Sequence, residues 1–179
     1  IHDIDPFNTL VDLNRAGIPL LEIVSEPEIK NGEEAYSYLS EIRKLVRYLE
    51  ISDGNMEEGS LRADLNISVR KKGTTKFGTK VEVKNMNSFR NVQKAIDFEI
   101  IRQIDLIEGG TPIFQETRTF DAAKNCTIGL RTKEDAHDYR YFPEPDLVPV
   151  MVTPSYISEV RETMPPLPYE LFKKYTAEL

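Results

Sequence analysis

The chain has 179 residues, 40% hydrophobic and 30% charged, enough apolar material for one substantial core and too much for a disordered polar chain. Its net charge of -7 argues against nucleic-acid binding driven by overall charge and leaves that role only to a local basic patch. The single cysteine, Cys126, excludes an internal disulfide framework, and no apolar run nears the length of a membrane span, so a soluble intracellular protein is the expectation. With no signal peptide, an Ile-His-Asp start and a helix in progress at its end, the chain reads as a fragment of something longer.

Residues 1–17 are polar and irregular, interrupted by Asp3, Asp5, Pro6 and Asn8. Residues 18–26 are predicted to form a strand, apolar on both sides except for Glu22 in Leu20-Leu21-Glu22-Ile23-Val24. A carboxylate inside such a strand must be paired, protonated or metal-bound, since an unpaired buried charge is costly. Asn31 is a natural N-cap for a helix reaching Glu50, with Glu33 and Glu34 in its first turn and Ala35, Tyr38, Leu39, Ile42, Leu45, Val46 and Leu49 as its apolar stripe.

A turn at Ser52-Asp53-Gly54-Asn55 and the acids Glu57 and Glu58 then lead into residues 60–70, where strict alternation predicts a two-faced strand. Leu61, Ala63, Leu65, Ile67 and Val69 occupy one face; Ser60, Arg62, Asp64, Asn66, Ser68 and Arg70 occupy the other. A second alternating strand, residues 79–85, should pair with it as an antiparallel hairpin. Because Val81 and Val83 must meet the same core, Glu82 and Lys84 join Arg62, Asp64 and Asn66 on one polar floor.

Asn87 or Ser88 should cap a second long helix, with Phe89, Val92, Ile96, Ile100, Ile104 and Ile107 as its stripe and Gly109-Gly110 as its end. Strands at residues 111–120 and 126–131 make another hairpin. The expected fold is α+β: an antiparallel sheet with covering helices in a repeated helix and strand-pair order. Residues 134–149, with Tyr139, Arg140, Tyr141 and Phe142 ahead of Pro143 and Pro145, form an extended segment read equally as cleft lining or as an edge strand. His137 lacks a Cys or second His nearby and is a poor zinc ligand. A short strand at 150–152, a helix at 155–163, the linker Met164-Pro165-Pro166-Leu167-Pro168 and a further helix from Tyr169 close the chain. The division expected is residues 1–152 as part of a catalytic domain and 153–179 as linker and start of a helical domain.

Glu22, Asp64 and Glu82 with Arg62 and Lys84 on a rigid sheet suit magnesium and nucleotide phosphate, because magnesium takes oxygen ligands and usually binds through one or two carboxylates plus substrate phosphates. No Walker loop, dinucleotide fingerprint, nucleophile elbow or Cys/His pairing is present. The pattern by itself does not name a substrate.

Longer runs do. Residues 13–27 (Leu-Asn-Arg-Ala-Gly-Ile-Pro-Leu-Leu-Glu-Ile-Val-Ser-Glu-Pro), 53–64 (Asp-Gly-Asn-Met-Glu-Glu-Gly-Ser-Leu-Arg-Ala-Asp), 84–89 (Lys-Asn-Met-Asn-Ser-Phe) and 138–146 (Asp-Tyr-Arg-Tyr-Phe-Pro-Glu-Pro-Asp) resemble the B subunits of aspartyl/glutamyl-tRNA amidotransferases, GatB, over essentially the whole chain. The resemblance implies a core like that of glutamine synthetase. It also implies ATP-dependent phosphorylation of the misacylated side-chain carboxylate of Glu-tRNA(Gln) or Asp-tRNA(Asn), then amidation by ammonia channelled from glutamine. The implied cofactors are ATP and Mg2+; the implied partners are the amidase A subunit, a small C subunit and misacylated tRNA, with no membrane, in the bacterial cytoplasm or an organellar matrix.

Carried over residue by residue, Glu22 matches a magnesium-binding glutamate. Asp64 and Glu82 lie in site motifs, Asp64 as a second metal candidate and both as candidates for ammonia handling. Arg62, Lys84 and Arg140 are the candidate ATP or substrate contacts. An amino-terminal metal-site segment and most of the helical domain and tail of that family are missing here, so the chain alone is expected to bind ATP weakly and to have no transamidation activity. Two rivals are a non-catalytic scaffold that docks the amidase and a free-standing ATP-dependent amide ligase or guanidino kinase of similar fold.

Overall fold

The computed structural model describes residues 2–3, 9–14, 17–132 and 146–178. The elements are β1 (His2–Asp3), β2 (Thr9–Leu10), α1 (Gly32–Tyr48), β3 (Leu65–Ile67), β4 (Val81–Lys84), α2 (Phe89–Glu108), β5 (Glu116–Asp121), β6 (Cys126–Thr132), α3 (Pro154–Thr163) and α4 (Pro168–Ala177). The helix and strand-pair order expected from the sequence is therefore present, as α1-β3-β4 followed by α2-β5-β6.

Both long helices start where their caps say. Asn31 Oδ1 accepts from the Glu34 amide at 2.8 Å, and the Glu34 carboxylate reaches back to the Lys30 amide at 2.8 Å, which satisfies two donors that a helix end otherwise leaves open. Of the two cap candidates for α2 the structure uses Ser88, whose Oγ accepts from the Asn91 amide at 3.2 Å. α2 ends at Gly109, and Gly110 adopts φ +75°, the left-handed conformation that favours glycine.

The sheet is mixed, which corrects the antiparallel expectation. Its order is β3-β4-β5-β6, with antiparallel pairs at β3–β4 and β5–β6 and a parallel pair between β4 and β5. The reason lies in the connection: strands joined through a 20-residue helix can return in the same direction, whereas only a tight turn forces reversal. β3 is also shorter than the predicted residues 60–70, because only Leu65, Asn66 and Ile67 have ladder partners on β4.

α1 and α2 pack on one face of this sheet. Val83, Val92 and Ala95 are fully buried there, with Ala35, Met56, Ile67, Met86 and Ile96 completing the core. Gly32 opens α1 against α2, and its amide donates to Asp97 Oδ1 at 3.2 Å. A Cβ at Gly32 would lie 2.6 Å from the carbonyl oxygen of Gln93, so the helices meet this closely only with glycine there. Gly32→Ala is expected to destabilise the protein by about 1–3 kcal/mol through overpacking, read as a lowered urea midpoint at unchanged m-value.

Two expectations for apolar segments are corrected. Residues 18–26 form no strand; Leu20, Leu21 and Val24 are 76%, 73% and 81% exposed, and Glu22 is exposed rather than held in a sheet interior. Residues 150–152 likewise have no ladder partner, with Val150 86% exposed. Local composition makes such runs extended, but a strand exists only where another chain segment takes up its hydrogen bonds. The later helices match expectation within a residue or two, and the linker ahead of α4 is tied to α1 by Tyr48 Oη donating to the Pro166 carbonyl at 2.8 Å.

Candidate functional site

The face of the sheet opposite the helices carries the polar floor. Asn66 stands opposite Glu82 across β3 and β4, and Glu82 stands opposite Thr117 across β4 and β5. Lys84 Nζ lies 3.2 Å from Glu82 Oε1 and 3.4 Å from Asp64 Oδ2, so one cation bridges two carboxylates. Thr117 Oγ1 donates to Glu82 Oε2 at 2.9 Å, and Thr117 is only 2% exposed. Both oxygens of Glu82 are thus held, one by a hydroxyl and one by an ammonium.

Burial pulls the Lys84 ammonium toward its neutral form. The hydrogen bond to Glu82, the charges of Asp64 and Glu82, and the contact with Asp64 outweigh that pull, so its pKa stands above the ordinary lysine value. Lys84 therefore remains a fixed positive charge through the neutral range, flanked by one nearly buried carboxylate and one half-exposed one.

The residues singled out from the sequence divide as follows. Asp64, Glu82 and Lys84 come together. Arg62 is exposed on the loop into β3, two residues before Asp64, and no hydrogen bond or ion pair joins Glu22 to this cluster among the described residues. Arg140, Tyr139, Tyr141, Phe142 and His137 lie outside the described residues. No group of three or more His, Cys, Asp or Glu side chains suited to a metal ion occurs among the described residues. A closed metal cage is thus absent there, and the exposed Asp64 carboxylate is engaged by Lys84.

The glycine-containing run ahead of β3 is a self-tied loop. Asp53 Oδ1 accepts from the Asn55 amide at 2.9 Å, and the Asn55 carbonyl accepts from the Ser60 and Leu61 amides at 2.9 and 3.2 Å. The hydrogen bond from the Asn55 amide, then that from Ser60, holds the Asp53 carboxyl below the usual carboxylate range. Gly54 and Gly59 take φ +64° and +73°, so the chain turns twice before delivering Arg62 and Asp64 to the floor.

Sequence reasoning missed what supports the floor from behind. On the helix side of β5, Glu99 and Gln103 of α2 are completely buried. Glu99 accepts from Arg102 Nε at 2.9 Å and Nη2 at 2.6 Å, from Thr127 Oγ1 at 2.8 Å and from Gln103 Nε2 at 3.0 Å. Glu116 accepts from Arg118 Nη1 at 2.8 Å and Arg102 Nη2 at 3.2 Å, and Arg118 Nε also bonds Thr127 Oγ1 at 2.8 Å. Burial works against the Arg102 charge, but the bond and charge of Glu99 and the charge of Glu116 more than offset it, so the guanidinium is held more firmly protonated. Two glutamates and two arginines form a neutral network that clamps α2 onto β5 and β6. The i, i+3 pair Glu99 and Arg102 and the period-two pair Glu116 and Arg118 are its only marks in the sequence.

At the open end of the floor a cleft of about 500 Å³ is lined by Asn66 and Ser68 of the polar face, Phe77 and Lys80 of the β3–β4 loop, Gln115 and Pro27. Pro27 brings the segment that carries Glu22 into its wall. Among the described residues no helix is long and apolar enough to cross a membrane.

Comparison with known proteins now identifies the family. The family model for the GatB/GatE catalytic domain matches residues 1–158. The chain is 55% identical over 178 residues to the B subunit of the aspartyl/glutamyl-tRNA(Asn/Gln) amidotransferase of Pelagibacter ubique, covering 99% of this chain and 36% of that protein. It is 59% identical over 170 residues to the corresponding protein of Alkalilimnicola ehrlichii, covering 95% and 36% respectively. For that of Rippkaea orientalis the identity is 56% over 171 residues, covering 96% and 34%. The chain thus spans about a third of the length of these relatives, which are named as one subunit of a multi-subunit enzyme. With a catalytic-domain model matched across residues 1–158 and identities above one half along nearly its whole length, this chain belongs to the GatB/GatE catalytic-domain family.

Proposed function

We propose that this chain is part of the B subunit of a tRNA-dependent amidotransferase and contributes to the ATP-dependent conversion of Glu-tRNA(Gln), Asp-tRNA(Asn) or both to the amidated forms. The observation that carries the reading is the match to B subunits over nearly the full chain. The bridging position of Lys84 between Asp64 and Glu82 supports it.

In this reading the misacylated carboxylate attacks the γ-phosphorus of ATP, ADP leaves, and ammonia then displaces phosphate from the acyl phosphate to give the amide. Hydroxide-like oxygen is a poor leaving group and phosphate a good one, which is what ATP is spent on. Charge neutralisation is the main help a protein gives to such a transfer. Lys84 places a positive charge where phosphate oxygens approach the floor, and Arg62, exposed on the loop into β3, can add a second. Arg140 keeps its role as a further substrate contact.

Glu82, held by Thr117 and Lys84, fixes the ammonium in place. Asp64, exposed and held at one oxygen, is suited to accept a proton from the attacking ammonia. Mg2+, when bound by Asp64 and Glu22, would supply Lewis-acid neutralisation of the phosphates. The same reading includes the A and C subunits as partners, tRNA held mainly by the helical domain and tail, a glutamine-synthetase-like core, a domain boundary after residue 152, and a cytoplasmic or organellar-matrix setting.

The experiment is amide formation on a misacylated tRNA by the assembled enzyme, with and without ATP, for wild type and Glu22→Ala. ATP-dependent amidation that collapses in Glu22→Ala supports the proposal; ATP-independent amidation overturns it. The exposed Leu20, Leu21 and Val24 favour, as a second reading, a scaffold that docks the amidase. Glu22→Ala enzyme that keeps full phosphorylation but fails to assemble would establish that reading instead.

A further inference from the structure

The loop between β3 and β4 contradicts the charge of the rest of the molecule. Arg70, Lys71, Lys72, Lys76 and Lys80 fall within eleven residues that contain no carboxylate, in a chain whose net charge is -7. All five are exposed, and none forms an ion pair with a carboxylate of the described residues. An ordinary solvated face mixes both signs, as the outer face of α1 does with Glu41 paired to Lys44. Unmixed positive charge on a protein of opposite overall sign is instead a local site for polyanions.

The loop is also built to hold its shape. Arg70 Nη1 donates to the Thr75 carbonyl at 2.7 Å, and Thr74 returns to the Lys71 carbonyl through its amide at 3.1 Å and its hydroxyl at 2.7 Å. At the neck Gly78 passes so close to Val69 that a Cβ there would lie 2.1 Å from the Val69 carbonyl oxygen. The Arg70 guanidinium lies 4.6 Å from the centre of the Phe77 ring, which is 53% exposed, so an aromatic surface stands among the cations. A loop ordered before binding loses little entropy on binding. Phe77 and Lys80 then form the wall of the cleft that runs past Asn66 to the floor.

We propose that this loop is an RNA-docking element: Lys71, Lys72 and Lys76 hold backbone phosphates near the acylated end of the tRNA. The exposed Phe77 ring takes an unpaired base, and the strand end then follows the cleft toward Lys84. The inference rests on the function proposed above, and it gives a role in RNA binding to the catalytic domain itself. The phosphates of ATP share this chemistry, and an acidic face of a partner protein is the other polyanion to be separated from RNA.

The test uses the complete B subunit in its assembled enzyme, with Lys71→Gln, Lys72→Gln and Lys76→Gln combined, a second enzyme with all three as Arg, and misacylated tRNA as probe. Tight-binding salt titrations of the triple Gln variant are expected to show about 10-fold weaker tRNA binding and a log–log salt slope smaller by about 2–3, one unit per lost phosphate contact. The triple Arg variant should restore both. The KM for ATP and kcat at saturating tRNA should stay at wild-type values. Unchanged tRNA affinity and slope in an enzyme that still amidates tRNA overturns the loop assignment and leaves the proposed function standing. A raised KM for ATP alone reassigns the loop to nucleotide, and loss of complex assembly alone reassigns it to a protein partner; either overturns the proposal. A wild-type enzyme that neither binds nor amidates misacylated tRNA removes the proposed function and the loop assignment together.

Discussion

Glu99→Leu is expected to lower the stability of the protein by about 3–5 kcal/mol, among the largest effects any single substitution here should have. Glu99 is fully buried, and its two oxygens together accept from Arg102, Thr127 and Gln103, with Arg118 Nε 3.6 Å away. Leucine fills the volume but leaves two guanidinium groups, one 20% and one 13% exposed at the side chain, with Glu116 as their only carboxylate among the described residues. The loss arises from stranded charge rather than from a missing attraction. For a chain of this size it corresponds to a fall in Tm of roughly 6–20 °C.

Glu99→Gln keeps the shape and one acceptor, so it should cost less, about 1–3 kcal/mol. Differential scanning calorimetry on both variants checks the order. Equal melting of Glu99→Leu and wild type would show that the network contributes nothing. A combined replacement of Glu99, Arg102, Glu116 and Arg118 by apolar residues is expected to recover much of the loss, because a neutral network and an apolar contact of equal volume differ little in free energy.

Lys84→Met carries the largest expected effect on activity. Methionine keeps the aliphatic stem but removes the positive charge that Lys84 places between Asp64 and Glu82. If Lys84 neutralises phosphate during transfer, kcat of the assembled enzyme should fall by about 10²–10³-fold, the usual cost of losing one preorganised donor at developing charge. Stability should change by less than about 1 kcal/mol, since the Lys84 side chain is 37% exposed and its ion pairs are screened by solvent. Lys84→Arg should restore only part of the rate, as the guanidinium fork cannot occupy the space of a compact ammonium between two carboxylates. The comparison is single-turnover formation of the phosphorylated carboxylate by wild type and both variants. A Lys84→Met rate within about threefold of wild type, far short of the loss expected for a preorganised donor, would remove Lys84 from the chemistry.

Much of this is legible in the sequence itself. Asn31, and Asn87 or Ser88, marked the starts of both long helices, because side-chain oxygens that satisfy open amides act within one turn and need no distant partner; the choice of Ser88 came from the structure. Alternation placed Asp64, Glu82 and Lys84 on one face, since a strand with one buried side has only one register that keeps Val81 and Val83 dry. The family resemblance rested on runs of residues and agreed with the later comparison.

What remained illegible depended on partners far along the chain. The Ile-rich stripe drawn on α2 ran through Ile104 and Ile107, yet these are 40% and 42% exposed while Glu99 and Gln103 of the same helix are fully buried. Hydrophobic periodicity ranks residues by transfer from water and cannot see that Arg102, Arg118 and Thr127 make a polar interior self-sufficient. Sequence by itself determined which segments are helical, which strands alternate and which family the chain resembles, because propensity, capping and pattern are local. Only the tertiary structure decided the parallel β4–β5 pairing, the exposure of Glu22, the Thr117 bond to Glu82 and the buried network behind it. Each of those depends on which distant groups arrive to satisfy a backbone or a charge.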